Sequence, residues 1–502
     1  MTRTTRFTLS ALALAVSLVS QPVLAQDDVP GGATGDVPAN AQALAEYQAL
    51  EAAEQPTAAR QLPSLPELFM RALENDAELS SQRFEVEATR EEIAMARSQL
   101  LPQVSATGGY LWQDSTNIQT VGEEDLGQPA TRPGEIDEKY WQLQLQQPLF
   151  SLERWRGMDV ADAQVSAAEL QLAVVEQDLA LQVTEAYVQA YLAAQRLGLL
   201  ESQQASLELQ LRQASRAFDL GVGNRVDLLE AQSRLDQAIS DAVEAENELD
   251  NALSELERLT GTLPTFRDVT TLGELSNLQI VRDFGRQDEW LARTGQNLKV
   301  RLAQGEQQIT QADTSTRKAG YYPEVNLNLS YSDRVSDDEL RESEDYRASV
   351  EVSVPIYRGG YTNASVRQGE LRIEAGRAAV DNERNLAVQE VRARLRSLSG
   401  GVRRLDAITQ AIESSELFLE AAERGEQLGL RDLVDVLDAR ASLYDQRIQF
   451  VDVVGEYALD RLALKTAVGE LNSSDLVEIM TLLSSMTGQM TSQSAGPNET
   501  AG

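Results

Sequence analysis

Gly429-Leu-Arg-Asp-Leu-Val-Asp-Val-Leu-Asp-Ala439 decides how this chain folds, because the chain carries the phrase twice. Gly221-Val-Gly-Asn-Arg-Val-Asp-Leu-Leu-Glu-Ala231 states it first, at an offset of 208 residues. In both, glycine interrupts a long helical pattern: Gly221 and Gly223 in one copy, Gly429 in the other. Asn224 or Asp432 then stands where a helix N-cap belongs. Asp227 or Asp435 follows three residues later, the spacing of a capping box with Asp in the Glu/Gln place. An apolar helix begins at once. Each half of the chain is therefore expected to reverse sharply between two helices, with carboxylates at each reversal.

Working outward, a helical pattern almost free of Gly and Pro precedes the first reversal over about 152–220. At 1.5 Å per residue it would be roughly 100 Å long. A return helix follows over 226–259. Before the second reversal another long helix runs from Gly360 to about 427. In it Val388, Val391, Leu395, Leu398, Val402 and Leu405 repeat at 3,4,3,4,3 spacing, a coiled-coil seam. Its return helix covers 433–467. Further out the period drops to two. Val104, Ala106, Tyr110 and Trp112 share one face of a strand, and Trp141, Leu143 and Leu145 oppose Gln142, Gln144 and Gln146. Residues 325–331 and 348–354 alternate in the same way, so β-hairpins are predicted at 103–150 and 323–357.

These elements fall into two repeats, 63–287 and 288–471, each opening with a helix (65–101 and 288–320). Pro102 and Pro323 are offset by 221 residues, but Pro148 and Pro355 by 207, so the halves differ mainly in hairpin-loop length. Residues 1–25 read as a secretory signal peptide, with Arg3 and Arg6 before a short apolar run and Val23-Leu24-Ala25 at its end. Residues 26–62 read as a flexible leader and 472–502 as a flexible tail.

A formal net charge of −35 makes nucleic acid an unfavourable partner. The chain has no Cys and no His, which removes disulfides, thiolate nucleophiles, His-based triads and His metal sites. No cofactor or metal site is predicted. Only carboxylate chemistry remains, and the acids are spread over helix faces, so the chain is not expected to be an enzyme.

The strands are about ten residues long with one apolar face, the length of a tilted transmembrane strand. Aromatic residues gather at their ends, as at bilayer interfaces: Tyr110, Trp112, Tyr140, Trp141, Phe150, Tyr322, Tyr331, Tyr346 and Tyr357. A soluble sheet packed on a helix is the other reading. In lipid, four strands cannot close a barrel alone, so copies must assemble. Two would give eight strands, three twelve and four sixteen, and the composition does not choose among them. Gln142, Gln144, Gln146, Asn326, Asn328, Ser330, Ser349, Glu351 and Ser353 form the expected water-facing set.

Over about 65–471 the chain resembles the TolC family of outer-membrane channels, in its non-lipidated branch. The residues that carry the resemblance are Leu100-Leu101-Pro102-Gln103, Phe150 through Trp155, Val354-Pro-Ile-Tyr-Arg-Gly-Gly360 and Leu428 through Ala439. It implies a mainly α chain with a membrane β-barrel. In the implied homotrimer, four transmembrane strands per protomer build a twelve-stranded barrel, and the long coiled-coil helices build a twelve-helix periplasmic tunnel. The implied role is an exit duct for type I protein secretion or multidrug efflux. Its implied partners are outer-membrane lipid, a periplasmic adaptor and an inner-membrane ABC or RND-type pump. A periplasmic coiled-coil scaffold or adaptor is the alternative function.

By the same resemblance Arg431 and Asp227 belong to a periplasmic gate, with Asp435, Asp438 and the additional acid Glu230 as an acidic ring at its entrance. Glu426 stands where the family places a closing Tyr. Residue chemistry alone leaves a plainer account of Asp227 and Asp435. In the first turn of a helix an acid favours the dipole by ~0.3–1 kcal/mol without any function.

Overall fold

The computed structural model describes residues 64–114, 135–221, 223–264, 278, 280–336 and 342–486. The expected signal peptide, leader and most of the first hairpin loop lie outside these residues.

Helix α1 (Leu65–Asn75) starts at Ser64, whose Oγ accepts from the Glu67 amide at 3.5 Å. One helix was expected over 65–101, but the chain breaks at Asp76 and resumes as α2 (Ala77–Ser98). Asp76 takes an extended conformation and its carboxylate accepts from Leu79 N at 2.7 Å, so it caps a new helix instead of continuing the old one. Strands β1 (Gln103–Asp114) and β2 (Glu135–Ser151) follow, then the 68-residue α3 (Leu152–Asp219) and its return helix α4 (Arg225–Thr260).

The second half opens with α5 (Gln287–Arg293), a 3-10 turn (Thr294–Gln296) and α6 (Leu298–Ala319). The continuous helix expected over 288–320 is therefore also interrupted. Asn297 restarts it by accepting from Lys299 N and Val300 N at 2.9 and 3.3 Å. Strands β3 (Glu324–Ser336) and β4 (Ser343–Ser353), the 67-residue α7 (Tyr361–Gln427) and α8 (Leu433–Ala467) complete the repeat. Among the described residues no helix is long and apolar enough to cross a membrane.

The strands form one antiparallel sheet in the order β1-β2-β3-β4, so β2 and β3 join the two repeats. Residues directly opposite each other in a ladder point to the same face. Val104–Leu145–Leu329–Ala348 and Ala106–Leu143–Tyr331–Tyr346 are two such rows, and they define an apolar face. Ser105–Gln144–Ser330–Arg347 and Gln103–Gln146–Asn328–Ser349 define a polar one. The register breaks between Pro148 and Phe150, where proline has no amide to give to the ladder.

The main core lies away from both the sheet and the reversals. There the middle of α3 meets α1, the end of α4, the middle of α7 and the upper part of α8. Tyr187, Tyr191, Phe450 and Tyr457 are its largest fully buried side chains. The tail expected from 472 onward is corrected here, because Ser473–Met486 forms helix α9 and seals this core. Leu476, Ile479, Leu482, Leu483 and Met486 recur at helical spacing and are all buried. Asn472 and Asp475 close a reciprocal capping box, with Asn472 N to Asp475 Oδ2 at 3.0 Å and Asp475 N to Asn472 Oδ1 at 3.2 Å. Tyr191 Oη donates to Leu483 O at 2.6 Å. Leu483→Ala is therefore expected to cost about 2–5 kcal/mol, the range for emptying a buried leucine site. Thermal unfolding of the purified protein reads that loss as a lowered Tm, and an unchanged Tm would mean that α9 does not stabilise the core.

Candidate functional site

Both reversals are built on left-handed glycines, Gly221 at φ +73° and Gly429 at φ +72°. Gly223 is required for a different reason. A Cβ there would lie 2.8 Å from the backbone and Cβ of Ala217, so only glycine lets the turn fold back on α3. Asn224 caps α4 through its side chain, which accepts from Val226 N at 2.7 Å. Asp432 occupies the corresponding position before α8 but makes no side-chain capping bond. The two reversals are alike in backbone and unlike in capping.

Within one chain Arg431 lies against Asp435 at 3.8 Å, and its guanidinium sits 5.3 Å from the centre of the Phe418 ring. It does not meet Asp227. The reason is local: Arg431 stands just before α8, so its side chain runs along the first turn of that helix. Asp227, half-buried on α4, and Glu426, exposed at the end of α7, have no ion pair among the described residues. The reversals carry exposed apolar side chains as well, namely Leu220, Val226, Leu229, Leu428 and Leu430.

Glu230 and Asp438, the deeper acids, meet a cation that sequence reasoning passed over. Arg234 Nε holds Glu230 Oε1 at 3.0 Å and Arg234 Nη2 holds Asp438 Oδ1 at 2.6 Å. Glu230 and Asp438 are equivalent positions of the two repeats, offset by 208 residues, so one arginine of the first repeat ties the equivalent acids together. The i,i+4 spacing of Glu230 and Arg234 was a legible signal, while the reach to Asp438 was not. Beside this bridge Leu207, Leu235, Ala238 and Leu437 form a small apolar cluster joining α3 and α4 to α8. Arg440 of α8 bonds Ser206 of α3 and Glu423 of α7 at the same level.

At the other end the polar face of the sheet gathers the whole expected water-facing set from Gln142 to Ser353. On the apolar face the rings of Trp141, Tyr331 and Tyr346 meet edge-on or tilted, with their polar tips satisfied. Trp141 and Tyr331 have centroids 4.8 Å apart, and Tyr331 and Tyr346 4.6 Å apart. Trp141 Nε1 donates to Asp333 at 3.2 Å, and both tyrosine hydroxyls donate to Glu344. A ring that is apolar in its body and polar at its tip suits a water–lipid boundary.

Known proteins are similar to this chain over most of its length. The model of the outer membrane efflux protein family matches residues 68–262 and 294–470. The outer membrane protein TolC of Vibrio cholerae is 28% identical over 429 residues, covering 83% of this chain and 93% of that protein. The proteases secretion protein PrtF of Dickeya chrysanthemi is 25% identical over 412 residues, covering 81% of this chain and 88% of its own. Among solved structures CusC, described for transmembrane channel formation, superposes with a TM-score of 0.69 at 18% identity, covering 81% of this chain and 92% of that one. That likeness speaks for the fold.

Proposed function

The chain belongs to the outer membrane efflux protein family, and from that premise we propose that three copies form a passive exit duct through the outer membrane. The observation that carries the reading is the sheet. It has one apolar face and one polar face, and among the described residues β1 and β4 each pair on one side only. An open edge is not tolerated in lipid. The edges close when β4 of one copy pairs with β1 of the next. Two copies would give eight strands filled by their own side chains, whereas three give twelve and leave a channel lined by the polar face.

The long helices of each copy then continue that channel away from the barrel as a twelve-helix tunnel ending at the reversals. Between copies Arg431 bridges to Asp227 in this reading, with Glu426 at the same constriction. Asp435, Asp438 and Glu230, repeated by threefold symmetry, form the acidic entrance. Such a ring favours cations and repels anions. Exposed Leu220, Val226, Leu428 and Leu430 offer an apolar landing for a periplasmic adaptor, through which an inner-membrane pump of the ABC or RND type engages the duct. PrtF is by its name a protease secretion protein, which favours protein secretion as a cargo, and small-molecule efflux uses the same passage.

The full-length protein extracted in detergent is expected to be a trimer and to give discrete conductance steps in planar bilayers. A monodisperse monomer, soluble without detergent, would overturn the reading in favour of a periplasmic coiled-coil scaffold.

A further inference from the structure

We propose that the seam between α4 and α8 sets how readily the two helical pairs part at the reversals, with Arg234 as its latch and the facing carboxylates Asp241 and Asp445 as a built-in weak point. The proposal rests on the duct reading above. Both helices start at a reversal and run away from it, so side by side they are parallel. Their facing positions recur once per heptad at a constant offset of 204 residues: Arg234 with Asp438, Asp241 with Asp445, Glu248 with Asp452.

The three rungs are unlike. The lowest joins opposite charges, Arg234 to Asp438 at 2.6 Å. The highest sets two acids against each other, and Arg196 of α3 neutralises them by bonding Glu248 and, at 2.9 Å, Asp452. The middle rung has no such clamp. Asp241 accepts from Gln237 of its own helix at 2.7 Å, and among the described residues neither Asp241 nor Asp445 has an ion pair. Nearby cations are engaged elsewhere: Arg447 holds Glu416 of α7 at 2.7 Å and Arg440 holds Glu423. From α3, Ser202 meets the Tyr444 hydroxyl at 3.1 Å. The α7–α8 seam, by contrast, joins opposite charges at Arg404–Glu456 and Arg394–Asp460 as well.

Burial first, and the charge of Asp241 second, push the Asp445 carboxyl above the usual carboxylate range. Because that elevation belongs to the closed seam, a proton binds more tightly when the helices are together than when they are apart. Protonation therefore favours closure. Repulsion is present in full above the carboxylate range and is lost as pH falls into it. The latch and the repulsion act in opposite directions on one equilibrium.

Single-channel recording of the full-length trimer tests this. Arg234→Gln is expected to raise conductance, and Asp445→Asn to lower it, each by a factor of about two to five, the reach of an exposed ion pair. Taking the wild type from about pH 7.5 to about pH 5 should move it in the direction of Asp445→Asn. Asp445→Asn itself should respond less to the same change. If Arg234→Gln does not assemble, Asp438→Asn breaks the bridge from the other side and the same opening is expected. Substitutions that leave conductance unchanged, or shift it in one common direction, would overturn the latch while the wild type still conducts. A wild type without conductance would overturn the duct reading itself, and the latch with it.

Discussion

Leu329→Arg is expected to abolish assembly in the outer membrane, whereas Ser330→Arg, one residue on, assembles and alters only what passes. Leu329 lies near the middle of β3 on the apolar face, between Leu145 and Ala348. Ser330 lies on the polar face between Gln144 and Arg347. In a twelve-stranded barrel the first face meets lipid and the second meets water. An arginine facing lipid at the bilayer midplane costs about 2–4 kcal/mol, and a trimer incurs that cost three times. Marginal proteins do not absorb such a loss. Fractionation and resistance of the trimer to dissociation in detergent check the pair. Normal insertion of Leu329→Arg together with failure of Ser330→Arg would mean that the two faces are assigned the wrong way round.

Arg431→Ser is expected to raise single-channel conductance several-fold, and Asp227→Ala to act in the same direction. The Arg431 side chain is 42% exposed and its Asp435 neighbour 51%, so within one chain the pair holds ~0–1 kcal/mol at most. In the proposed trimer, threefold symmetry would multiply whatever each link contributes, and a closed end held by modest links can be opened by a partner that binds the open state better. With Glu426 where the resemblance implies a closing tyrosine, the resting state is expected to rely more heavily on Arg431. Replacing Asp435 by Ala is expected instead to weaken cation selectivity, read from the reversal potential in asymmetric salt, with a smaller effect on opening, whereas replacing Asp438 weakens selectivity and also releases Arg234. Should neither set change conductance or selectivity, the acids serve only the helix dipole and the ion pairs of their own helices.

What the sequence determined by itself were the features written in short-range periodicity. Alternation with period two assigned the strand faces, because a strand's side chains must point to opposite sides whatever surrounds it. Gly221 and Gly429 announced the reversals, since a left-handed residue ends a helix locally. The same logic was open for Asp76 and Asn297, whose capping side chains divide helices that periodicity alone ran together.

Tertiary structure decided the rest. Helix α9 has the apolar spacing of a helix, but at 14 residues it is too short to be stable alone. It exists because Tyr191 and the α8 surface bury it, and no local pattern announces that partner. Arg234 shows the same limit from the electrostatic side. Its pairing with Glu230 follows from helix geometry, but its hold on Asp438 spans 204 residues and depends on α4 lying parallel to α8. Periodicity states which face of a helix is sticky; which other face it meets, and which charges that contact sets opposite each other, is fixed only when the core forms.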